Sequence, residues 1–105
     1  MDPIIANSLE LCRILKADHA RRFDQAVHGT SQICEFELNE GRKYLKVIQV
    51  TNIQHFAHCF IDRNTGDVYK AASYAQPAKG VRYNILRDMD ILRNADWAGG
   101  YLYKR

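Results

Sequence analysis

Residues Lys43 to Ala71 read KYLKVIQVTNIQHFAHCFIDRNTGDVYKA, and the fold class is predicted from their pattern of apolar and polar side chains. Apolar and polar side chains alternate along Lys43 to Val50, along His55 to Asp62 and along Asp67 to Ala71, and this period of two predicts three β-strands. The segments between them are rich in turn-forming residues, and Gly66 supplies the positive φ that a bulged hairpin needs. The stretch therefore predicts an antiparallel meander.

The residues before this stretch predict a helix and one more strand. Asp2 and Pro3 are typical of a helix start, because the carboxylate caps free amides and proline lacks an N–H where none is needed. Apolar positions recur every three or four residues between Ile5 and Val27, which predicts an amphipathic helix that ends near Gly29. From Gln32 the period changes to two, which predicts a first strand before the turn NEGR.

The residues after the stretch predict a loop, a short helix and a last strand. Ala72 to Tyr83 contains a proline and a glycine and is predicted to be irregular. Asn84 is predicted to cap a helix that carries Ile85, Leu86, Met89 and Leu92. YLYKR, Tyr101 to Arg105, is predicted to join the sheet. The whole chain, 1–105, is thus predicted to be a single α+β domain with an N-terminal helix, a meander of about four strands, a short second helix and a C-terminal strand.

The composition excludes several classes of protein. A chain of 105 residues with 47% hydrophobic and 26% charged side chains predicts a single globular domain and not a disordered chain. No run approaches the roughly 18 apolar residues of a membrane span, and no secretory signal is recognised. Cys12, Cys34 and Cys59 are odd in number and lack a CxxC spacing, so we expect reduced thiols and a cytoplasmic location. The formal charge of +3 permits an anionic partner without requiring nucleic acid.

Several patterns that resemble catalytic or metal sites have the wrong spacing. On a strand, His55 and Cys59 of HFAHC would lie about 13 Å apart, too far to bind one metal ion. The turn DRNTGD lacks the glutamate that closes a calcium loop, and Asp88 and Asp90 would lie about 200° apart around a helix. Whether Cys59 meets a histidine from another element stays open. We therefore expect no catalytic residue, no metal and no cofactor.

The segment KAASYAQPAKGVRYN, Lys70 to Asn84, is the candidate ligand site. It combines ammonium and guanidinium groups, which bind anions, with tyrosine rings, which stack on planar groups, around a permissive glycine. A solvated basic loop is the alternative interpretation. The candidate binding residues are Lys70, Ser73, Tyr74, Lys79, Gly80, Arg82, Tyr83 and Trp97.

The same segment resembles a known family. Phe60 to Leu86 and the ending DWAGGYLYKR, with the motif TGDVYKAAS, PAKGVRYN and WAGGYLY, are similar to small uncharacterised proteins of bacteriophages, notably tailed phages and cyanophages. Tyr74 stands where a tryptophan is expected in that family, so the position stays aromatic. The resemblance implies a phage origin and expression in the cytoplasm of a bacterial host, and it carries no established activity.

Three functions stay open. The first is a non-enzymatic phage accessory protein that binds an anionic ligand or a host protein through Lys70 to Asn84. It is expected to be a homo-oligomer, since a chain this short buries only about 60 to 68% of its unfolded surface. The second is a nucleic-acid-binding protein that uses the basic residues Arg13, Lys16, Arg21, Arg22, Lys79 and Arg82. The third is a small enzyme that acts on a phosphorylated metabolite, for which no convincing base is found.

Overall fold

The computed structural model describes residues 2–22, 34–52 and 54–103, and in it a long helix packs against a five-stranded antiparallel sheet. The strands are hydrogen-bonded in chain order, so the sheet is the meander that the sequence predicts. The chain therefore has an α+β fold. Its elements are α1 (Pro3–Arg22), β1 (Cys34–Glu40), β2 (Tyr44–Thr51), β3 (His55–Asp62), β4 (Asp67–Ala71), β5 (Pro77–Asn84), α2 (Met89–Leu92) and a 3-10 helix (Gly100–Tyr103).

Helix α1 begins as its sequence predicts. The carboxylate of Asp2 accepts a hydrogen bond from the backbone N–H of Ile4, with an N to O distance of 2.8 Å, and so satisfies one of the free amides of the first turn. Leu11 and Leu15 on one face of the helix are fully buried. The predicted continuation to Gly29 lies outside the described residues. Within the described part of the chain, no helix has the length and apolar composition that crossing a bilayer requires.

The hydrophobic core lies between α1, the C-terminal segment and one face of the sheet. Leu45 and Val47 of β2, Ile61 of β3 and Val68 of β4 have no solvent exposure, and they pack in one cluster with residues of α1. Burial of each such side chain stabilises the fold by about 1.5 to 3 kcal/mol, before the entropy cost of ordering the chain. Leu102 of the 3-10 helix joins the same cluster.

The prediction that Ala72 to Tyr83 is irregular is wrong, because this segment contains most of β5, which pairs with β4. Pro77 is the first residue of the strand, where the missing N–H costs little at the edge of a sheet. Gly80 has a φ of 97° and lies where the register between the two strands shifts. The proline and the glycine therefore mark the start and the bulge of an edge strand.

The predicted C-terminal strand is also wrong, because Gly100–Tyr103 forms a 3-10 helix. The carboxylate of Asp96 accepts hydrogen bonds from the backbone N–H groups of Gly100 and Tyr101, both at 3.0 Å. Leu102 is turned into the core. The segment therefore covers a face of the sheet and does not extend its edge, and the last two residues of the chain lie outside the described residues.

The predicted cap of the second helix is wrong in position. The side-chain oxygen of Asn84 accepts hydrogen bonds from the N–H groups of Leu86, at 2.9 Å, and Arg87, at 3.1 Å. These bonds close a turn of the kind that asparagine favours. Helix α2 begins later, at Met89, and has only four residues.

Candidate functional site

A cleft opens where β3 and β4 separate. The ladder between these strands runs from Cys59 opposite Lys70 to Ile61 opposite Val68, so the first half of β3 extends beyond it. The cleft has a volume of about 240 Å³ and lies between the sheet and the C-terminal segment. Its lining includes Phe56, His58, Lys70, Gly99, Leu102 and Tyr103.

The mouth of the cleft combines a cation with exposed rings. The ammonium nitrogen of Lys70 lies 4.8 Å from the centroid of the Tyr103 ring. Tyr103 is 70% exposed and Phe56 is 45% exposed. Among the ion pairs of the described residues, none includes Lys70. The charge of Lys70 is therefore held over an aromatic ring and is not neutralised by a neighbouring carboxylate.

The floor of the cleft is made by a bulge in β3. Val47 is opposite Cys59 and Ile48 is opposite Ala57, so His58 is an extra residue without a partner on β2. The His58 ring packs edge-on against Phe36 with 5.5 Å between ring centroids. The bulge interrupts the alternation of the strand and buries His58 and Cys59, which are adjacent in sequence.

The floor carries no charge at neutral pH. The Nε2 atom of His58 lies 2.7 Å from the hydroxyl of Tyr101. Burial lowers the pKa of His58 to about 4, although the carboxylate of Asp96 opposes this shift. Burial also raises the pKa of the Tyr101 hydroxyl and of the Cys59 thiol well above their ordinary values. An ionised nucleophile is therefore not available at this floor.

Gly99 forms the wall of the cleft above His58. Its φ is 85°, and a Cβ added there would lie 3.6 Å from the Cε1 atom of His58. The position thus has room for a methyl group but has a backbone conformation that side chains disfavour. This turn brings the backbone over the imidazole ring and starts the 3-10 helix that carries Tyr103.

The structure places three of the eight predicted site residues around the separation of β3 and β4. Lys70 lines the cleft, while Ser73 and Tyr74 line an adjoining hollow of about 300 Å³ that shares Phe56 with it. The hydroxyl of Ser73 accepts hydrogen bonds from the N–H groups of the next turn, at 3.2 and 3.3 Å. The Ser73 oxygen therefore stabilises the turn. Of the three residues, Lys70 and Tyr74 have side chains that are suited to binding a ligand.

The other five predicted residues lie elsewhere. Arg82 donates from Nε to the carbonyl oxygen of Leu102 at 2.8 Å, and the Tyr83 hydroxyl donates to the carbonyl oxygen of Tyr101 at 2.7 Å. Both side chains therefore hold the 3-10 helix against β5. Lys79 and Gly80 are exposed on β5, and Trp97 packs edge-on against His19 of α1 with 4.8 Å between ring centroids. The eight residues do not converge on one pocket.

Sequence reasoning missed Phe56, His58 and Tyr103 as cleft residues. The sequence leaves open whether His58 is a core or a functional residue, and Tyr103 was predicted to lie on a strand. One signal in the sequence does indicate the cleft. The third predicted strand has eight residues and the fourth has five, so part of the longer strand must extend beyond its neighbour.

The basic residues of α1 are paired with carboxylates. Arg13 lies 2.7 Å from Glu10, and Lys16 lies 2.8 Å from Glu35. Arg21 and Arg22 both contact the carboxylate of Asp18, at 2.9 and 3.0 Å. These ion pairs reduce the positive charge that α1 offers to a nucleic acid.

The carboxylate of Asp18 is buried beside the two arginines that it contacts, Arg21 and Arg22. Burial acts to raise the pKa of Asp18, but the backbone N–H of Trp97 and the guanidinium groups of Arg22 and Arg21 outweigh it and lower the pKa. The N–H of Trp97 donates to Oδ2 at 2.9 Å. The end of α1 is thereby joined to the segment that follows α2.

Fold and site together define a small α+β protein with a ligand-sized cleft at a split in its sheet. In residues 2–22, 34–52 and 54–103, no group of three or more His, Cys, Asp or Glu side chains is placed to hold a metal ion. The chain belongs to a family of unknown function, DUF7717, whose family model matches residues 2–104. No curated protein and no solved structure matched the chain in the same comparisons.

Proposed function

We propose that this protein is a non-enzymatic binding module that holds a small, planar, anionic ligand in the cleft between β3, β4 and the 3-10 helix. The observation that carries the proposal is the position of Lys70, whose ammonium lies over the exposed Tyr103 ring at the mouth of the cleft. An anion there would gain a charge partner, and a planar group would gain a ring to stack on.

The size and chemistry of the cleft support a small ligand. Its volume of about 240 Å³ is below the range of about 300 to 1,000 Å³ that is usual for drug-sized ligands. The floor is neutral, so the selectivity for anions comes from Lys70 at the mouth. Phe56, exposed on the other side of the cleft, provides a second ring surface.

The absence of an activated nucleophile at the floor favours binding over catalysis. The Cys59 thiol is buried and protonated, and His58 is neutral and hydrogen-bonded to Tyr101. A small enzyme that acts on a phosphorylated metabolite is the alternative, and it would require a base that these groups do not provide.

The biological setting is part of the proposal. We infer a bacteriophage accessory protein that acts in the cytoplasm of a bacterial host, as a homo-oligomer and with an anionic ligand or a host protein as its partner. The resemblance of the TGDVYKAAS and PAKGVRYN segments to phage proteins supports this origin. Cys12, Cys34 and Cys59 are free and buried, which suits a reducing compartment.

A thermal-shift screen tests the cleft. Purified protein is heated with nucleotides, cyclic nucleotides and inorganic phosphate, at low and high salt. A ligand at 100 times its Kd stabilises the native state by about 2.7 kcal/mol, which raises the Tm of a domain of this size by roughly 10 °C or more. We expect a shift with a nucleotide that is lost in Lys70→Gln and in Tyr103→Ala.

Lys79→Gln is the matched control, because it removes an exposed lysine of β5 that lies outside the cleft lining. It should keep the full shift. An absence of any shift with the native protein, or an equal loss in Lys79→Gln, would contradict the proposal. Turnover of the shifting compound, measured by chromatography, would favour the enzyme instead.

A further inference from the structure

The face of the sheet opposite the core carries a row of side chains that do not line the cleft. Cross-strand partners in register place Lys46 of β2 beside Phe60 of β3, Phe60 beside Tyr69 of β4, and Tyr69 beside Val81 of β5. Side chains alternate along a strand, and the neighbours of this row are core residues such as Ile61 and Val68. The row therefore lies on the face opposite the core.

Four rings form a platform on this face, which we call the tyrosine platform: Tyr44, Phe60, Tyr69 and Tyr74. The Tyr44 ring meets the edges of Phe60 and Tyr69, with centroid distances of 5.8 and 6.0 Å. Phe60 is only 3% exposed and forms the floor, whereas Tyr74 is 48% exposed. The platform thus presents the exposed Tyr74 ring and the half-buried Tyr44 and Tyr69 rings above an apolar base.

Two lysines hold their charge over this platform. The ammonium nitrogen of Lys46 lies 3.9 Å from the centroid of Tyr74, and that of Lys43 lies 5.4 Å from the centroid of Tyr44. Neither lysine takes part in an ion pair within residues 2–22, 34–52 and 54–103. Both charges are therefore offered to a partner that is negative.

The carboxylates beside the platform are used by local turns. Asp62 accepts hydrogen bonds from the backbone N–H groups of Asn64 and Thr65, at 2.8 and 3.1 Å. Asp67 accepts one from the side-chain amide of Asn84 at 3.1 Å. These bonds engage the two carboxylates in the hairpins at the end of the platform where Asp62 lies opposite Tyr44. The negative charge therefore borders Tyr44 and Tyr69, whereas Lys46 lies over Tyr74.

We propose that the tyrosine platform binds single-stranded nucleic acid, with bases stacked on Tyr74 and against the half-buried Tyr44 and Tyr69 rings, and with Lys43 and Lys46 at the phosphates. Aromatic rings on an antiparallel sheet stack bases of any sequence, because every base has a π face. The ammonium of Lys46 moves off the Tyr74 ring when a base takes its place, and it then reaches the neighbouring phosphate. This surface goes beyond the small-ligand cleft and does not depend on it.

The geometry fits a short single strand. The Tyr44 and Tyr69 rings reach over β3 from β2 and β4, and their centroids lie 6.0 Å apart. Two neighbouring nucleotides cover such a span. A second copy of the chain is a poorer occupant, since the Lys46 ammonium and the Tyr44 ring already cover Phe60 and leave little apolar surface to bury.

Fluorescence anisotropy with labelled ten-nucleotide dT and rU strands tests the proposal. We expect binding that weakens steeply as salt rises, and weaker binding of a duplex of the same length. Tyr74→Ala should lose about fivefold to a hundredfold in affinity, whereas Tyr74→Phe keeps the ring and should keep the affinity. Lys46→Gln should reduce the slope of log K against log salt by about 0.7.

Tyr103→Ala is the matched control, because it removes an exposed tyrosine of the cleft and leaves the platform intact. It should bind the strands as the native protein does, even where it has lost the small-ligand shift. Circular dichroism confirms that each variant is folded.

Three results would overturn the proposal. They are no binding at low salt, equal affinity in the native protein and Tyr74→Ala, and a loss that instead follows Arg13→Gln on α1. A concentration-dependent dimer that disappears in Tyr74→Ala, in a protein that binds neither strand, would assign the platform to self-association. The comparison of dT with rU separates DNA from RNA as the strand that is preferred.

Discussion

The Nε2 atom of His58 lies 2.7 Å from the hydroxyl of Tyr101, and this pair joins β3 to the 3-10 helix. The two residues are 43 positions apart in the chain. Tyr101 also lies against Tyr83 of β5, with 5.8 Å between ring centroids. This buried polar contact lies below the cleft and helps to fix the 3-10 helix. The 3-10 helix in turn carries Tyr103 and closes one side of the cleft.

His58 makes the stability of the fold depend on pH. The ordinary pKa of histidine is 6.5, and burial lowers the pKa of His58 to about 4 in the folded state. Between these values the unfolded chain binds a proton that the native protein does not, so stability is fully present above pH 6.5 and decreases as the pH falls towards 4. A shift of this size corresponds to roughly 3 kcal/mol.

Urea denaturation at pH 7.5 and at pH 4.5 measures this loss. The native protein should lose about 2 to 3 kcal/mol between the two values, and His58→Gln should lose less. The difference between the proteins isolates His58, because burial also lowers the pKa of His19 and acts in the same direction. The same pH dependence in both proteins would show that His58 does not titrate as inferred.

Removing the hydroxyl of Tyr101 should destabilise the fold. Tyr101→Phe keeps the ring but leaves Nε2 of His58 without its partner in a buried site. The expected cost is about 1 to 3 kcal/mol in urea denaturation at pH 7.5. Tyr103→Phe is the control, since its side chain is exposed, and it should change the stability by less than about 0.5 kcal/mol. Equal effects of the two variants would mean that the contact between His58 and Tyr101 adds no stability.

The three cysteines should differ in reactivity. Burial raises the pKa of Cys12 to about 12 and that of Cys59 further, whereas the rise for Cys34 is opposed by a hydrogen bond from Gln49. With a thiol reagent at pH 8, we expect Cys34 to react first and all three to react at once in guanidinium chloride. Mass spectrometry of the modified peptides identifies the order. Rapid modification of Cys59 in the folded protein would instead indicate a reactive thiol and would reopen catalysis.

The sequence predicted the elements that are determined by interactions between neighbouring residues. The cap at Asp2 and the strands β2, β3 and β4 were predicted from neighbouring residues, and the structure confirms the cap and the three strands. Strand β5 was missed because its proline and glycine are typical of loops, and only pairing with β4 shows that they mark an edge strand. The 3-10 helix was missed because burial of Leu102 in the core decides its position.

The sequence predicted only part of the candidate site, because the rest of the site depends on contacts between distant elements. Lys70 was identified from residue type, and the structure places it at the cleft. His58 and Phe56 enter the cleft because β3 bulges and extends beyond β4. The predicted strand lengths indicate the extension, but nothing in the sequence indicates the bulge. Trp97 was grouped with Lys70 although it packs near α1, because a sequence does not show which distant elements meet.

Asp18 gives a last test of how α1 is attached to the C-terminal half. Its side chain is 3% exposed, and it accepts hydrogen bonds from the backbone of Trp97 and from Arg21 and Arg22. Asp18→Ala leaves the N–H of Trp97 and two guanidinium groups without their acceptor, so we expect a loss of about 2 to 4 kcal/mol in urea denaturation.

Glu10→Ala is the matched control for Asp18→Ala, because Glu10 also forms ion pairs from α1 with two arginines but is more exposed. It should cost less stability than Asp18→Ala. Since the pKa of Asp18 is lowered in the folded state, the difference between the variants should be present at neutral pH and should diminish as Asp18 becomes protonated in acid. If both variants lose the same stability at pH 7.5, the contact between Asp18 and Trp97 does not anchor α1.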